Sequence, residues 1–192
     1  MALDREGFEA LTAASPAEAL ESVRRRAPDL VLLDLHFDER HAAEGLDCAR
    51  SLVASGFCGV VVILSNDDSF AMAHEAARAG ANGYLVKHHL DDLGALLGCF
   101  LEPRGGGAGD FLPPATEAYL RSRGLLAADL ELLREYCLDF GREKGVAARL
   151  DRSHAVVRKR FELIRNLLGA RTQVDLGRIL GVLSCFARVQ RR

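Results

Sequence analysis

The sequence predicts an α/β domain built on a parallel sheet, followed by a smaller all-helical domain. Three observations predict it. Short apolar runs alternate with helical patterns in the first part of the chain and vanish from the second. Between the parts, residues 102–114 hold four glycines and three prolines in thirteen positions, the composition of a linker. The charge also splits there: residues 1–114 carry 9 Lys and Arg against 18 Asp and Glu, and residues 115–192 carry 16 against 9. The expected boundaries are 1–102, a linker at 103–114, and 115–192.

In chain order, Phe8–Ala14 alternates weakly and is expected as a strand. Asp29–Leu35 and Gly59–Ser65 are nearly continuous apolar runs, as in strands covered on both faces. Gly83–Lys87 is a fourth strand candidate. Helices are expected over 16–26, 43–55, 69–79 and 90–101, closing near Pro or Gly. Strand and helix in repeat give a parallel sheet, whose sites lie at the carboxyl ends of its strands. Those ends are Asp34, Ser65 and Lys87. Beyond the linker, helices are expected over 115–123, 126–140, 143–150, 154–168 and 173–187.

Composition excludes several classes. Of 192 residues, 49% are hydrophobic and 27% charged, the balance of a globular protein. No apolar run reaches the ~18 residues of a membrane span, and the first residues lack the pattern of a signal peptide. The five cysteines have no Cys-x-x-Cys pair, so free thiols in a reducing cytoplasm are expected. His36, His41, His88 and His89 show no metal-ligand spacing. No nucleophile–base pair or phosphate loop is apparent, so neither an enzyme nor a cofactor is expected. The basic second part suits an anionic partner.

An acid, a hydroxyl and a lysine at three successive strand ends form a specific constellation. With Val31-Leu-Leu-Asp-Leu35, Ile63-Leu-Ser-Asn66 and Ala79-Gly-Ala-Asn-Gly-Tyr-Leu-Val-Lys87, residues 8–101 resemble the CheY-like receiver of bacterial response regulators. The resemblance implies a phospho-acceptor at Asp34, the hydroxyl and lysine that follow the phosphoryl group at Ser65 and Lys87, and the switch aromatic at Tyr84.

It also implies a Mg²⁺ site on an acidic pair after a first strand. That strand, its helix and two loops need about 20–25 residues ahead of the second strand, and seven precede Phe8. The first strand, the acidic pair and the first helix are therefore expected to be missing. Asp4 and Glu6, just before Phe8, do not replace the pair. The family's Gly eight residues after the aspartate stands here eleven residues on, at Gly45, and no proline lies between Asp34 and Gly45. Asp38 and Glu39 read as a solvated loop. A degenerate receiver without a resident metal is expected.

In the second part, Val157, Phe161, Ile164 and Leu168 fall on one stripe of a helix, with Ala155, Lys159, Glu162 and Asn166 opposite. Ser153 suits the helix N-cap. Through Val146–Gly169, residues 125–188 resemble the NarL/FixJ (LuxR-type) helix-turn-helix domain, with Ala147 where two helices cross and Leu150 before the turn. Asp151 replaces a frequent Gly, and Arg152 an apolar residue. On the wheel Arg158 and Arg165 lie along one flank; the resemblance implies double-stranded DNA as partner, base-facing Arg158, Lys159 and Glu162, and a phosphate contact at Arg160. In the resembled family the last helix mediates dimerisation, so Leu176, Ile179, Leu180, Leu183 and Phe186 are expected to serve either a homodimer or the core.

The expected function is a DNA-binding transcription regulator whose receiver works without phosphorylation. The alternative is a protein-interaction adaptor that no longer binds DNA, favoured by the acidic Glu162 and the irregular turn. A sheet lacking its first strand would also expose an edge to a second copy, the favoured cover, to the basic half folding back, or to a different protein.

Overall fold

A computed structural model describes residues 8–37, 44–89, 112–138 and 142–189. The chain divides into two compact units, Met1–Gly105 and Gly106–Arg192.

The first unit opens with α1 (Pro16–Arg26). Pro16 sits in its first turn, and the Ser15 hydroxyl accepts the Glu18 N–H at 3.2 Å. Next come β1 (Leu30–Asp34), α2 (Glu44–Ala54), β2 (Val60–Ser65), α3 (Phe70–Ala79), β3 (Gly83–Val86) and a 3₁₀ turn at Lys87–His89. The strands form one parallel sheet in the order β1-β2-β3. Leu30 to Asp34 lie opposite Val60 to Leu64, and Val62 to Ser65 opposite Gly83 to Val86. β-Branched Val61, Val62 and Ile63 fill the centre of the sheet and are buried. Parallel strands bring all three carboxyl ends to one edge, which gathers Asp34, Ser65 and Lys87.

Two expectations are corrected here. Residues 8–13 form no strand. They are rich in alanine, a poor strand former, and a strand without a ladder partner has no hydrogen bonds to hold it. Nor is β1 covered on both faces: Leu30, Val31 and Leu32 are only half-buried, whereas all four residues of β3 are buried. The helix expected at 90–101, the linker residues up to 111, Asp38, Glu39, His41 and Cys99 lie outside the described residues.

The second unit is helical: α4 (Pro114–Ser122), α5 (Ala127–Leu138), α6 (Glu143–Arg149), α7 (His154–Leu168) and α8 (Gln173–Val189). α7 buries Val157, Phe161, Ile164 and Leu168, and the Phe161 ring lies 5.0 Å from that of Tyr136 on α5. Thr116 on α4 donates to the Leu183 carbonyl of α8 at 3.1 Å. The α6–α7 turn passes through Asp151 at φ 50°. That left-handed conformation favours glycine and is tolerated by aspartate, so Asp151 does there what a glycine would. On α8, Leu176, Ile179, Leu180, Leu183 and Phe186 are all buried within the unit. Burial of all five in the single chain supports the core-packing reading of this stripe.

Candidate functional site

Lys87 follows β3 and returns across β2 to place Nζ 2.6 Å from Asp34 Oδ2. The other carboxylate oxygen accepts the His36 backbone N–H at 3.1 Å. Both side chains are about one-third exposed, 35% for Lys87 and 38% for Asp34. Ser65 is buried, and its hydroxyl accepts the Asp67 N–H at 3.0 Å. Tyr84 is fully buried, and its phenol donates to the Asp67 carbonyl at 2.7 Å. Burial pushes that phenol up to about 12; the Ser65 hydroxyl pulls it down, and the charges of Asp67 and Asp68 add to the rise.

Asp67 is thus a hub that the sequence reading missed. Its N–H reaches Ser65, its carbonyl holds Tyr84, and its carboxylate accepts the Ser69 N–H at 2.7 Å, beside the Ser69 cap of α3. The Asp-Asp-Ser run ahead of an apolar helix was its only signal. Gly45, singled out in the sequence for its longer spacing from Asp34, packs against the same strand end. A methyl group there would strike the Asp34 carbonyl oxygen and lie 2.9 Å from Leu35 Cα. Gly45 also donates its N–H to the Leu35 carbonyl at 3.1 Å. The longer spacing from Asp34 still delivers a glycine against the strand end.

In the second unit, Ser153 caps α7 by accepting the Val156 N–H at 3.3 Å. Arg158, Lys159 and Glu162 are exposed and make no ion pair among the described residues. Arg160 lies differently: Nε and Nη2 both engage the carboxylate of Asp129 on α5, the Nη2 bond at 2.7 Å. Asp129 is fully buried and also accepts the Leu126 N–H at 2.7 Å, closing the first turn of α5. Arg165 reaches Glu143 of α6 at 3.2 Å, and Glu143 also accepts from Gln173 of α8 at 2.6 Å. Neither acid carries a local signal, because its partner lies 31 or 22 residues away along the chain.

Residues 1–97 match the response regulator receiver domain family. The chain belongs to that family. A transcriptional regulatory protein of Bacillus subtilis strain 168, YvfU, is 28% identical to this receiver protein over 165 residues, covering 84% of this chain and 78% of its own. Among solved structures, a Burkholderia pseudomallei response regulator with a phosphorylated aspartic acid is 20% identical, covering 81% of this chain and 85% of its own, at a TM-score of 0.44. RcsB of Salmonella typhimurium is 15% identical, covering 91% and 87%, at 0.47.

A receiver's Mg²⁺ needs a cluster of carboxylates around the acceptor. Among the described residues no three His, Cys, Asp or Glu side chains stand together as a cation site, and the cation facing Asp34 is the Lys87 ammonium. Asp4, Glu6, Asp38 and Glu39 lie outside the described residues. No helix among the described residues is long and apolar enough to cross a membrane.

Proposed function

We propose that this receiver protein is a DNA-binding transcription regulator whose receiver works without phosphoryl transfer to Asp34. The observation that carries the DNA reading is α7: a Ser153-capped helix after a tight turn, with its apolar stripe buried and Arg158 and Lys159 exposed. A helix of that build fits the major groove, where forked and cationic side chains read guanine edges and Glu162 can accept from a cytosine amino group. The relative described as a transcriptional regulatory protein supports the same reading.

Gel-shift or anisotropy titration against a duplex selected by the full chain from a random library tests it. Binding that weakens steeply with salt and discriminates the selected duplex from random sequence is expected. Salt-independent failure to bind any duplex would favour the adaptor reading, for which Glu162 and the exposed Val156 and Leu163 of α7 are the relevant features.

We also infer a homodimer formed through the outer edge of β1. Leu30, Val31 and Leu32 are half-buried on an edge strand that carries no lysine or proline to discourage pairing. Light scattering of the full chain is expected to give twice the mass of one chain, and Val31→Lys to return it to one.

A further inference from the structure

Arg160 and Arg165 leave α7 on opposite flanks of its buried stripe. At 3.6 residues per turn, each lies about 70° from the direction shared by Val157, Phe161, Ile164 and Leu168, one on either side. Each runs inward to an acid on a neighbouring helix, Asp129 of α5 and Glu143 of α6. Both acids are themselves held, Asp129 by the Leu126 N–H and Glu143 by Gln173. The two pairs straddle the apolar stripe and oppose rotation of α7 about its own axis.

The Arg160 flank is not closed by apolar packing. Beside it a groove of about 300 Å³ opens between α5 and α7, lined by Ala128, Leu132, Val156 and Leu163. Val156 is 60% exposed and Leu163 45%, so apolar contact alone does not stop α7 from rolling toward α5. The Arg160 fork bridges that gap. To reach a DNA phosphate with the same nitrogens, Arg160 would have to leave a fully buried carboxylate unpaired, which is costly.

We propose that Asp129 is a positioning residue for the DNA-reading face: by clamping Arg160 it fixes the rotation of α7, and with it the side chains that meet base edges. This rests on the DNA reading above. A roll of α7 would carry Arg158, Lys159 and Glu162 away from their bases and leave the general attraction of a basic unit for phosphate intact. Asp129 therefore governs discrimination between sequences and leaves the counterion release of binding unchanged.

The test uses the full chain, the duplex it selects from a random library, and a random-sequence duplex, each titrated over a range of salt. Asp129→Asn and Arg160→Gln are each expected to cut the ratio of selected to random affinity about tenfold. The salt slope stays that of the wild type, and the double variant falls no further than either single one, as for two halves of one interaction. Arg160→Lys keeps the charge and loses the fork; it carries the test where thermal melting shows that Asp129→Asn does not fold, and a reduced ratio at unchanged slope is expected. A wild-type ratio in Arg160→Lys overturns the proposal. So does an Arg160→Gln variant that weakens both duplexes equally with a salt slope smaller by about one, the mark of a lost phosphate contact. A wild-type chain that binds no duplex overturns the DNA reading itself, and the role of Asp129 with it.

Discussion

Lys87 Nζ lies 2.6 Å from Asp34 Oδ2, joining the carboxyl ends of two strands that never touch, because β2 stands between them. With the His36 N–H on the other oxygen, both oxygens of the carboxylate already have donors. Phosphoryl transfer to a carboxylate needs cationic charge around the transferred phosphoryl oxygens. The described residues offer Lys87 and no carboxylate cluster for a divalent ion. Intact-mass spectrometry after incubation with acetyl phosphate and Mg²⁺ is expected to show no adduct. A stoichiometric phosphoryl group on Asp34 would sink the phosphorylation-independent reading.

The same pair contributes little to stability. Each partner is more than a third exposed, so water screens the attraction, and exposed pairs of this kind are worth about 0–1 kcal/mol. Lys87→Met is expected to shift the urea midpoint only slightly, with the denaturant slope unchanged. A loss of several kcal/mol would mean that the lysine supports the fold through contacts other than Asp34.

Gly45 is the more sensitive position at this end of the sheet. Gly45→Ala drives a methyl group into the Asp34 carbonyl and the Leu35 backbone, neither of which can rotate away. Overpacking against backbone costs about 1–3 kcal/mol. Denaturant unfolding followed by circular dichroism is expected to show that loss. Wild-type stability in Gly45→Ala would show that the start of α2 can retreat from β1.

The elements were legible wherever local pattern decides them. The apolar runs ending at Asp34 and Ser65 fixed two strands, and the spacing of Val157, Phe161, Ile164 and Leu168 fixed the buried face of α7. Phe8–Ala14 misled because alternation describes a strand only when a partner strand lies beside it. The apolar stripe of α8 left two readings open, because its spacing is the same whether a second copy or the chain itself covers it. Within the candidate sites, strand ends were readable. The Arg160 to Asp129 pairing was not, since it depends on how α5 and α7 pack.

Asp129 also sets an acid limit on the helical unit. Burial alone would raise its carboxyl; the Arg160 hydrogen bonds, the Leu126 N–H and the Arg160 charge outweigh that and hold it below the usual carboxylate value. A carboxyl lowered by folding adds stability that is complete above its unfolded value of about 3.9 and is lost as pH falls through the folded one. The stability difference between the wild type and Asp129→Asn is therefore expected to be largest near neutral pH and to shrink on acidification. Thermal melts from about pH 7 down to pH 3 measure it. A difference that stays constant over that range would mean that Asp129 acts through shape and not through charge.

The proposed DNA-reading face of α7 gives the most direct test of function. Arg158 and Lys159 are exposed, near the start of a capped helix, and make no ion pair among the described residues, so neither is held by the fold as Arg160 is. If either reads a base, its replacement by alanine costs roughly 1–3 kcal/mol on the selected duplex and relaxes the preference at one position. Glu162 sits among them with the opposite sign. Glu162→Gln removes a charge that repels phosphate, so affinity for random duplex is expected to rise, while the preference for a cytosine opposite it falls. Anisotropy titrations of the three variants against selected and random duplexes at fixed salt separate these effects. Stability should not move, since none of the three side chains is buried. An Arg158→Ala/Lys159→Ala double variant with wild-type affinity for both duplexes would remove α7 as the reading helix.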